Sequence, residues 1–136
     1  MGCMLRIGGR RFDAKACAES TSLPVARVHV KGEPVLRTRP NGKKNSESSL
    51  NIRVSRAEFH RLDRQIKDAR AFVKRHSREI RRIGRLRGVE HLVLDFGIAR
   101  RDVAGQFDRF PAELLLACGK LGIGLEVSWY QAFDEA

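Results

Sequence analysis

The stretch that decides the fold is SRAEFHRLDRQIKDARAFVKRHSREIRRIGRLRG, which runs from Ser55 to Gly88. Seven apolar side chains and one histidine recur in it at alternating steps of three and four residues, the spacing that places them on one face of an α-helix. They are Phe59, Leu62, Ile66, Ala69, Val73, His76, Ile80 and Ile83. The pattern predicts one long amphipathic helix over about residues 56–87, whose apolar side packs against the rest of the chain.

The start of this helix is predicted from Ser55 and Glu58, which have the S-x-x-E spacing of a capping box. In that motif each side chain accepts a hydrogen bond from the backbone amide of the other residue, and the cap contributes about 1 kcal/mol. Val54 and Phe59 occupy the positions of a hydrophobic staple. We therefore expect the helix to begin directly after Ser55.

The segments on either side of this helix predict alternating strands and helices. VARVHVKG, from residue 25, and SLNIRVS, from residue 49, alternate apolar and polar side chains, which is the period of a half-buried strand. MLRI, VEHLVLDFGI and IGLEVSWYQ predict three further strands. AKACAES and PAELLLACGKLG predict two further helices, the first capped by Asp13 and the second started by Pro111.

The resulting order, β-α-β-β-α-β-α-β, predicts the α+β fold class. Its first six elements have the order of a ferredoxin-like βαββαβ core, which the last helix and strand would extend. In that arrangement the helices pack on one face of a mostly antiparallel sheet. We expect a single domain over residues 1–136, with a basic loop at about 36–48 and a frayed C-terminus at about 132–136.

The chain is strongly basic, with 27 Lys and Arg against 16 Asp and Glu and a net charge of +11. Such a charge favours association with nucleic acid, an anionic membrane surface or an acidic protein. Twelve of the cations lie between Arg56 and Arg87, which predicts a basic binding surface on the outer helix face and the loop. Its residues are Arg37, Arg39, Lys43, Lys44, Arg64, Lys67, Arg75, Arg78 and Arg82. The alternative is a solvated face without a partner, because burial of the apolar stripe alone stabilises the helix.

Cysteine spacing and apolar runs indicate the compartment. Three cysteines, none in C-x-x-C spacing, argue against a disulfide scaffold or a zinc finger and for a reducing compartment. The sequence has no apolar run of the roughly 20 residues that a membrane span requires, and its first residues lack the apolar stretch of a signal peptide. We expect a cytoplasmic protein without a membrane partner, a metal or a cofactor.

The sequence contains no recognisable catalytic motif. Its four histidines form no H-E-x-x-H, and its glycines form no Walker A sequence. A binding protein is therefore expected before an enzyme, and a site assembled near Asp95, His91 and Gly122 is left as an alternative. Asp95 lies in an apolar strand, where a carboxylate requires a partner, and we expect Arg53 or Arg27 to supply it.

Nucleic-acid binding is a further alternative with limited support. Aromatic residues make up 7% of the chain and are not interleaved with the cations, so no stacking platform for single strands is predicted. The long helix has no helix-turn-helix partner, and the strands lack the aromatic pattern of an RNA-recognition sheet. Any such binding is expected to be electrostatic and sequence-tolerant.

Three segments, KGEPV, LVLDFGI and FDRFPAELLLACGKLGIGLEVSWY, resemble a bacterial family described as a domain of unknown function. The likeness covers most of residues 4 to 131. Its matching positions shape turns and caps and carry no chemistry; they are Gly32, Pro34, Gly97, Pro111, Gly122 and Gly124. Relatives of the family occur among proposed immunity proteins for polymorphic toxins, so the resemblance implies a small, non-catalytic binder of a partner protein.

The leading hypothesis is accordingly a cytoplasmic, non-enzymatic interaction protein of immunity type. The strong basicity of the chain would direct it to an acidic protein surface, and electrostatic steering would speed the encounter. A sequence-tolerant nucleic-acid binder and an enzyme with an unrecognised site are the alternatives. A homodimer through the open sheet face or the last strand is also left open.

Overall fold

The computed structural model describes residues 2–131. Over this range the chain forms five strands and four helices in the predicted order, except that the long helix is divided. They are β1 (Cys3–Gly9), α1 (Ala14–Ser20), β2 (Val25–His29), β3 (Ser48–Ser55), α2 (Leu62–Arg75), α3 (Ser77–Gly84), β4 (His91–Arg100), α4 (Ala112–Lys120) and β5 (Ile123–Gln131). The predicted α+β class is confirmed, whereas the frayed C-terminus predicted at 132–136 lies outside the described residues.

The five strands form one sheet in the order β2-β3-β1-β4-β5. The first three neighbouring pairs are antiparallel, and β4 and β5 are parallel. Helix α4 connects the parallel pair, since parallel strands need a crossover connection. The sheet is therefore mostly antiparallel, and β2 and β5 are its two edges.

One face of the sheet is apolar and lies under the helices. Leu5, Ile52 and Leu94 of the central strands are fully buried on it, because successive side chains of a strand point to opposite faces. The apolar helix residues buried in this core are Ala14, Cys17, Ala69, Val73, Ile80, Ile83, Leu114 and Cys118. The opposite face, called the open face below, carries the intervening polar residues; on it Arg6 pairs with Glu126 at 2.8 Å.

The predicted helix start at Ser55 is wrong. Ser55 is the last residue of β3, and its hydroxyl donates to Asp68 Oδ2 at 2.7 Å while accepting from the Ala57 amide at 3.1 Å. The helix begins at Leu62, and no side chain caps it at Arg61. The capping box does not form because the Ser55 hydroxyl instead joins the end of β3 to a carboxylate of α2.

Residues 56–61 cross the end of the sheet instead of forming a first helical turn. The Phe59 carbonyl accepts a hydrogen bond from the Ala99 amide at 2.9 Å. Two residues earlier in β4, the Gly97 amide donates to the Gly2 carbonyl at 2.7 Å. Residues 56–61, called the crossing segment below, therefore bond to β4 beyond Phe96, where the pairing between β1 and β4 ends.

The predicted hydrophobic staple between Val54 and Phe59 is also wrong. Val54 is buried in the core, whereas the Phe59 ring stacks on Tyr130 of β5 with centroids 4.5 Å apart. Gln65 is fully buried beneath the crossing segment, and its Nε2 donates to the Gly97 carbonyl at 2.7 Å. The crossing segment is thus held by a buried amide and an aromatic stack.

The long predicted helix is divided into α2 and α3 at His76, which has φ −107° and ψ 16°. The His76 amide still donates to the Phe72 carbonyl at 2.9 Å, and the two rings lie with centroids 4.5 Å apart. The apolar side continues through the break, because Val73 before it and Ile80 after it are both buried. Within residues 2–131, no helix has the length and apolarity that crossing a membrane would take.

Candidate functional site

Two of the predicted helix cations are held in ion pairs. Arg64 Nε lies 3.4 Å from Asp68, and Arg82 Nε lies 2.6 Å from Glu79. Glu79 also accepts the Thr21 hydroxyl at 2.7 Å, which ties α3 to the segment before β2. The hydrogen bonds from Arg82 lower the pKa of the Glu79 carboxyl to about 2, so Glu79 stays ionised and offsets part of the basic charge.

The predicted loop cations lie beside the edge strand β2, away from the helices. Lys43 and Lys44 line a shallow depression of about 230 Å³ together with Ser49, an open-face residue of β3. Arg37 lines a larger cleft beside β2, and Arg39 is exposed in the adjoining turn. None of the clefts described here is lined both by loop cations and by cations of α2 or α3.

Helices α2, α3 and α4 enclose a cleft of about 370 Å³, called the basic cleft below. Its floor is apolar and consists of Val73, Ala117 and Leu121, which are buried or half-buried. Its rim is polar and consists of the half-buried Ser77 and five exposed charged residues: Arg70, Lys74, Arg81, Glu113 and Lys120. The site therefore combines an apolar surface with a concentration of positive charge.

The charges of this rim are unevenly compensated. Arg70 forms an ion pair with Glu113 across the mouth of the basic cleft. Among residues 2–131, no ion pair involves Lys74, Arg81 or Lys120. Three cations consequently face solvent around an apolar floor, and each is available to a carboxylate or a phosphate.

The basic cleft continues along the helices at both ends. Arg70 and Lys74 also line a neighbouring depression of about 380 Å³, which Lys67 joins. At the other end, Arg81 lines a depression of about 300 Å³ together with Arg85. Of the predicted residues, Lys67 thus lines a depression that adjoins the basic cleft, although it does not line the basic cleft itself.

The remaining predicted helix cations, Arg75 and Arg78, are exposed and do not line the basic cleft. The sequence carried a signal for the correct side of the helices, because Arg70, Lys74 and Arg81 recur at steps of four and seven residues. The contribution of Lys120 had no such signal, since it depends on how α4 packs against α2.

No family model, curated protein or solved structure matches this chain. Its function is therefore inferred from the chemistry of its own residues. Within the described range, no group of three or more His, Cys, Asp or Glu side chains could hold a metal ion. The basic cleft, with its apolar floor and its cationic rim, is the candidate binding site.

The three cysteines offer no activated nucleophile. Cys3, Cys17 and Cys118 are unbridged and buried. Burial raises the pKa of each thiol above its ordinary value, and the nearby Asp95 carboxylate raises that of Cys3 further. The reactive thiolate form is disfavoured at all three positions, so they serve as small core residues.

The partner expected for Asp95, Arg53 or Arg27, is wrong. Asp95 lies on the open face, where its Oδ1 accepts the Ser128 hydroxyl of β5 at 2.8 Å. The side chain is half-buried and faces the solvent side of the sheet, so its carboxylate is not desolvated as a core residue would be. The hydrogen bond from Ser128 and the contact with solvent satisfy the carboxylate, so it does not require an arginine partner.

The residues suggested for an enzyme site are not brought together. His91 and Gly122 line the same depression of about 300 Å³, but Asp95 is not among the residues that line it. His91 Nε2 instead lies 2.8 Å from Glu47, which connects β4 to the basic loop. That pair holds the end of the loop against the sheet and does not face the basic cleft.

Proposed function

We propose that this chain is a non-catalytic interaction protein that binds an acidic protein partner in the basic cleft. The observation that carries the proposal is the apolar floor beneath a rim of cations. An amphipathic partner helix that presents carboxylates beside an apolar side chain would match both parts of the site, in the helix-in-groove mode of recognition. The surrounding cations would also accelerate the encounter at low salt.

The apolar floor, formed by Val73, Ala117 and Leu121, favours a protein partner over a nucleic acid. A phosphate backbone would pair with the rim cations but would leave the floor without a matching group. An apolar side chain that is fully buried on such a floor contributes roughly 1.5–3 kcal/mol. An acidic protein segment that carries an apolar side chain would gain this burial free energy in addition to its ion pairs with the rim cations.

A sequence-tolerant nucleic-acid binder is the second candidate. The observation that favours it is the exposure of Lys67, Arg75 and Arg78, which extend the positive charge beyond the basic cleft. Binding of this kind would be electrostatic, and the logarithm of its association constant would fall steeply with the logarithm of the salt concentration.

An immunity-type role in the cytoplasm is the specific form of this activity that the resemblance implies. Such a protein would act by occupying a partner's surface, which requires a binding cleft and no catalytic group. The unbridged cysteines agree with a reducing compartment.

We also propose that β1, β2, β3 and β4 form a ferredoxin-like core. The order β2-β3-β1-β4 with antiparallel neighbours supports it, as do the helical connections between β1 and β2 and between β3 and β4. The same core hosts many unrelated functions, so it does not by itself favour one.

The proposal is tested with two labelled acidic helical peptides of equal length and charge, titrated into the full chain by fluorescence anisotropy. One peptide carries leucines at positions i, i+3 and i+7, and the other carries glutamines there. We expect the leucine peptide to bind at least about tenfold more tightly, because only its side chains can occupy the apolar floor. Equal affinities would show that charge alone is recognised and would overturn the proposed use of the floor.

A matched pair of charge-reversal variants locates the contact. Lys74→Glu with Arg81→Glu alters the basic cleft, while Arg75→Glu with Arg78→Glu makes the same change in net charge outside it. We expect the first pair to weaken peptide binding by roughly a hundredfold and the second by a few-fold. The same two variants titrated with duplex DNA and RNA separate the candidates, because equal losses with both would indicate a diffuse polyanion surface.

A further inference from the structure

Strand β5 presents an unpaired edge nine residues long. It pairs with β4 over Ile123–Gln131 without a register shift. Within residues 2–131, the backbone of β5 makes hydrogen bonds to β4 and to no other element. The segment contains no proline, lysine or arginine, which are the residues that commonly prevent edge strands from pairing. The outward amides and carbonyls of β5 are therefore open to another strand.

The surface around this edge is apolar. Trp129 and Tyr130 of β5 are 67% and 46% exposed, and Leu115 of α4 is 48% exposed. Helix α4 packs on β5 and against α2, and its residues Glu113 and Lys120 face the basic cleft. The helical period then directs Leu115 to the other side of α4, above the outer edge of β5.

The net charge of the surface around β5 differs from that of the rest of the chain, and this difference favours a second copy as its binding partner. The segment from Ala112 to Gln131 contains two glutamates and one lysine, a net charge of −1, within a chain of net charge +11. Two copies of so basic a chain repel each other over most of their surfaces, and that repulsion is weakest here. An acidic partner would gain more from the cations elsewhere, so a second copy is the occupant that this surface fits.

We propose that β5 pairs antiparallel with β5 of a second copy, in a register centred on Val127. This register uses all nine residues of the strand, since Val127 is its midpoint. It places Leu125 opposite Trp129 of the second copy on the helix side. On the open face it places Gly124, which has no side chain, opposite Tyr130 of the second copy.

Neighbouring registers are less favourable. Centring the pair on Glu126 would place two glutamates directly opposite each other, which is destabilising. Centring it on Val127 instead sets Glu126 opposite Ser128 of the second copy. A centre at Leu125 would pair five residues of β5 and leave Trp129 and Tyr130 outside the ladder. The chosen register joins the two sheets into one and leaves the basic cleft, on the other side of α4, unobstructed.

Sedimentation of the full chain over a range of concentrations tests the association. We expect the mass to rise from 15.4 kDa towards twice that value, and the dimer to strengthen with added salt because salt screens the repulsion between the copies. Binding of an acidic partner in the basic cleft would weaken with salt, so the two activities can fail independently. A mass that stays at 15.4 kDa at every concentration and salt overturns the proposal.

Two lysine substitutions at exposed positions test the surface. Trp129→Lys should raise the dimer dissociation constant at least about tenfold, because Trp129 faces Leu125 of the second copy. Leu116→Lys is the control, since Leu116 is 61% exposed but lies on the outward face of α4. Far-ultraviolet circular dichroism verifies that both variants fold. Equal weakening of the dimer by both substitutions would contradict this interface.

Single cysteines test the register. Val127→Cys should give a disulfide-linked dimer under mild oxidation, because position 127 faces its own copy. Glu126→Cys should cross-link much less, because diagonal neighbours in such a ladder are about 7–8 Å apart. The native cysteines are buried and serve as a common background. Preferential cross-linking of Glu126→Cys, or no cross-linking of either variant, would reject the register.

Discussion

Strand β2, at one edge of the sheet, is short and irregular, whereas β5, at the other edge, is long and regular. β2 has five residues, and its pairing with β3 shifts register between Val25 and Arg27. The loop that follows β2 folds back through a bridge between Pro34 and Lys44. β5 has nine residues in unbroken register with β4. Bulges, prolines and edge cations discourage pairing, so the chain protects one edge and leaves the other available.

The two edges of the sheet also differ in charge. β2 contains Arg27, and Lys31 lies two residues beyond its end, whereas β5 contains no cation. The proposed acidic partner and the proposed second copy would therefore use different parts of the molecule, the basic cleft and the β5 edge.

The largest expected effect comes from the core beneath β5. Leu114 of α4 is fully buried, so Leu114→Ala should lower the free energy of unfolding by about 2–5 kcal/mol. It should also weaken the dimer, because α4 holds β5 in place. Urea denaturation and sedimentation measure the two effects.

Leu23→Ala is the matched variant at the other end, where Leu23 is buried just before β2. It should lower stability by a similar amount while the folded protein keeps its dimer. If Leu23→Ala dissociated the dimer as strongly as Leu114→Ala, the two ends would not be independent.

The second prediction concerns Gln65, which supports the crossing segment beside β4 and β5. Gln65→Ala removes the donor to the buried Gly97 carbonyl, and leaving such a group unsatisfied costs about 1–3 kcal/mol. Urea denaturation measures the loss, with the exposed Lys67→Ala as the control expected to change stability by less than about 0.5 kcal/mol. Stability unchanged in Gln65→Ala would show that the crossing segment does not depend on this bond.

The parts of the fold that could be predicted from the sequence are those that a repeated pattern of residues specifies. The positions of Ala69, Val73, Ile80 and Ile83 followed from their spacing alone, because any helix with that spacing must bury one side. Strands β2 and β3 followed from alternation, and the interior strand β4 followed from its run of apolar residues. Both signals are repeated over many residues, so a single local exception does not erase them.

Signals that rest on one or two residues were less reliable. The capping box at Ser55 was wrong because a serine hydroxyl can also bind a carboxylate from another element, here Asp68. The burial of Gln65 could not be predicted, since it depends on carbonyls supplied by the crossing segment and β4. The basic cleft was missed for the same reason, because Lys120 and Arg81 line one cleft only through the packing of α4 against α2 and α3.

The third prediction is a pH dependence at the β2 end. The pKa of Glu79 in the folded protein, about 2, lies below its ordinary value of 4.5, so folding favours the ionised carboxylate. The resulting stability is present above pH 4.5 and is lost as the pH falls towards 2. Glu79→Gln should flatten the stability profile in this window, measured by urea denaturation at several pH values. An unchanged slope would show that the contacts to Arg82 and Thr21 do not stabilise the fold.

The smallest expected change in stability is at the edge strand β2 itself. Arg27 is exposed in that strand, so Arg27→Val should alter the free energy of unfolding by less than about 0.5 kcal/mol. Its effect on association should be larger, because the substitution removes a cation that keeps β2 from pairing. We expect species heavier than a dimer in sedimentation, since β5 would pair at one edge and β2 at the other.

Arg53→Val, a matched substitution on the open face of the interior strand β3, should leave the mass at that of a dimer because β3 already has a neighbour on each side. Heavier species from both variants would mean that apolar surface, and not an unprotected edge, drives the association.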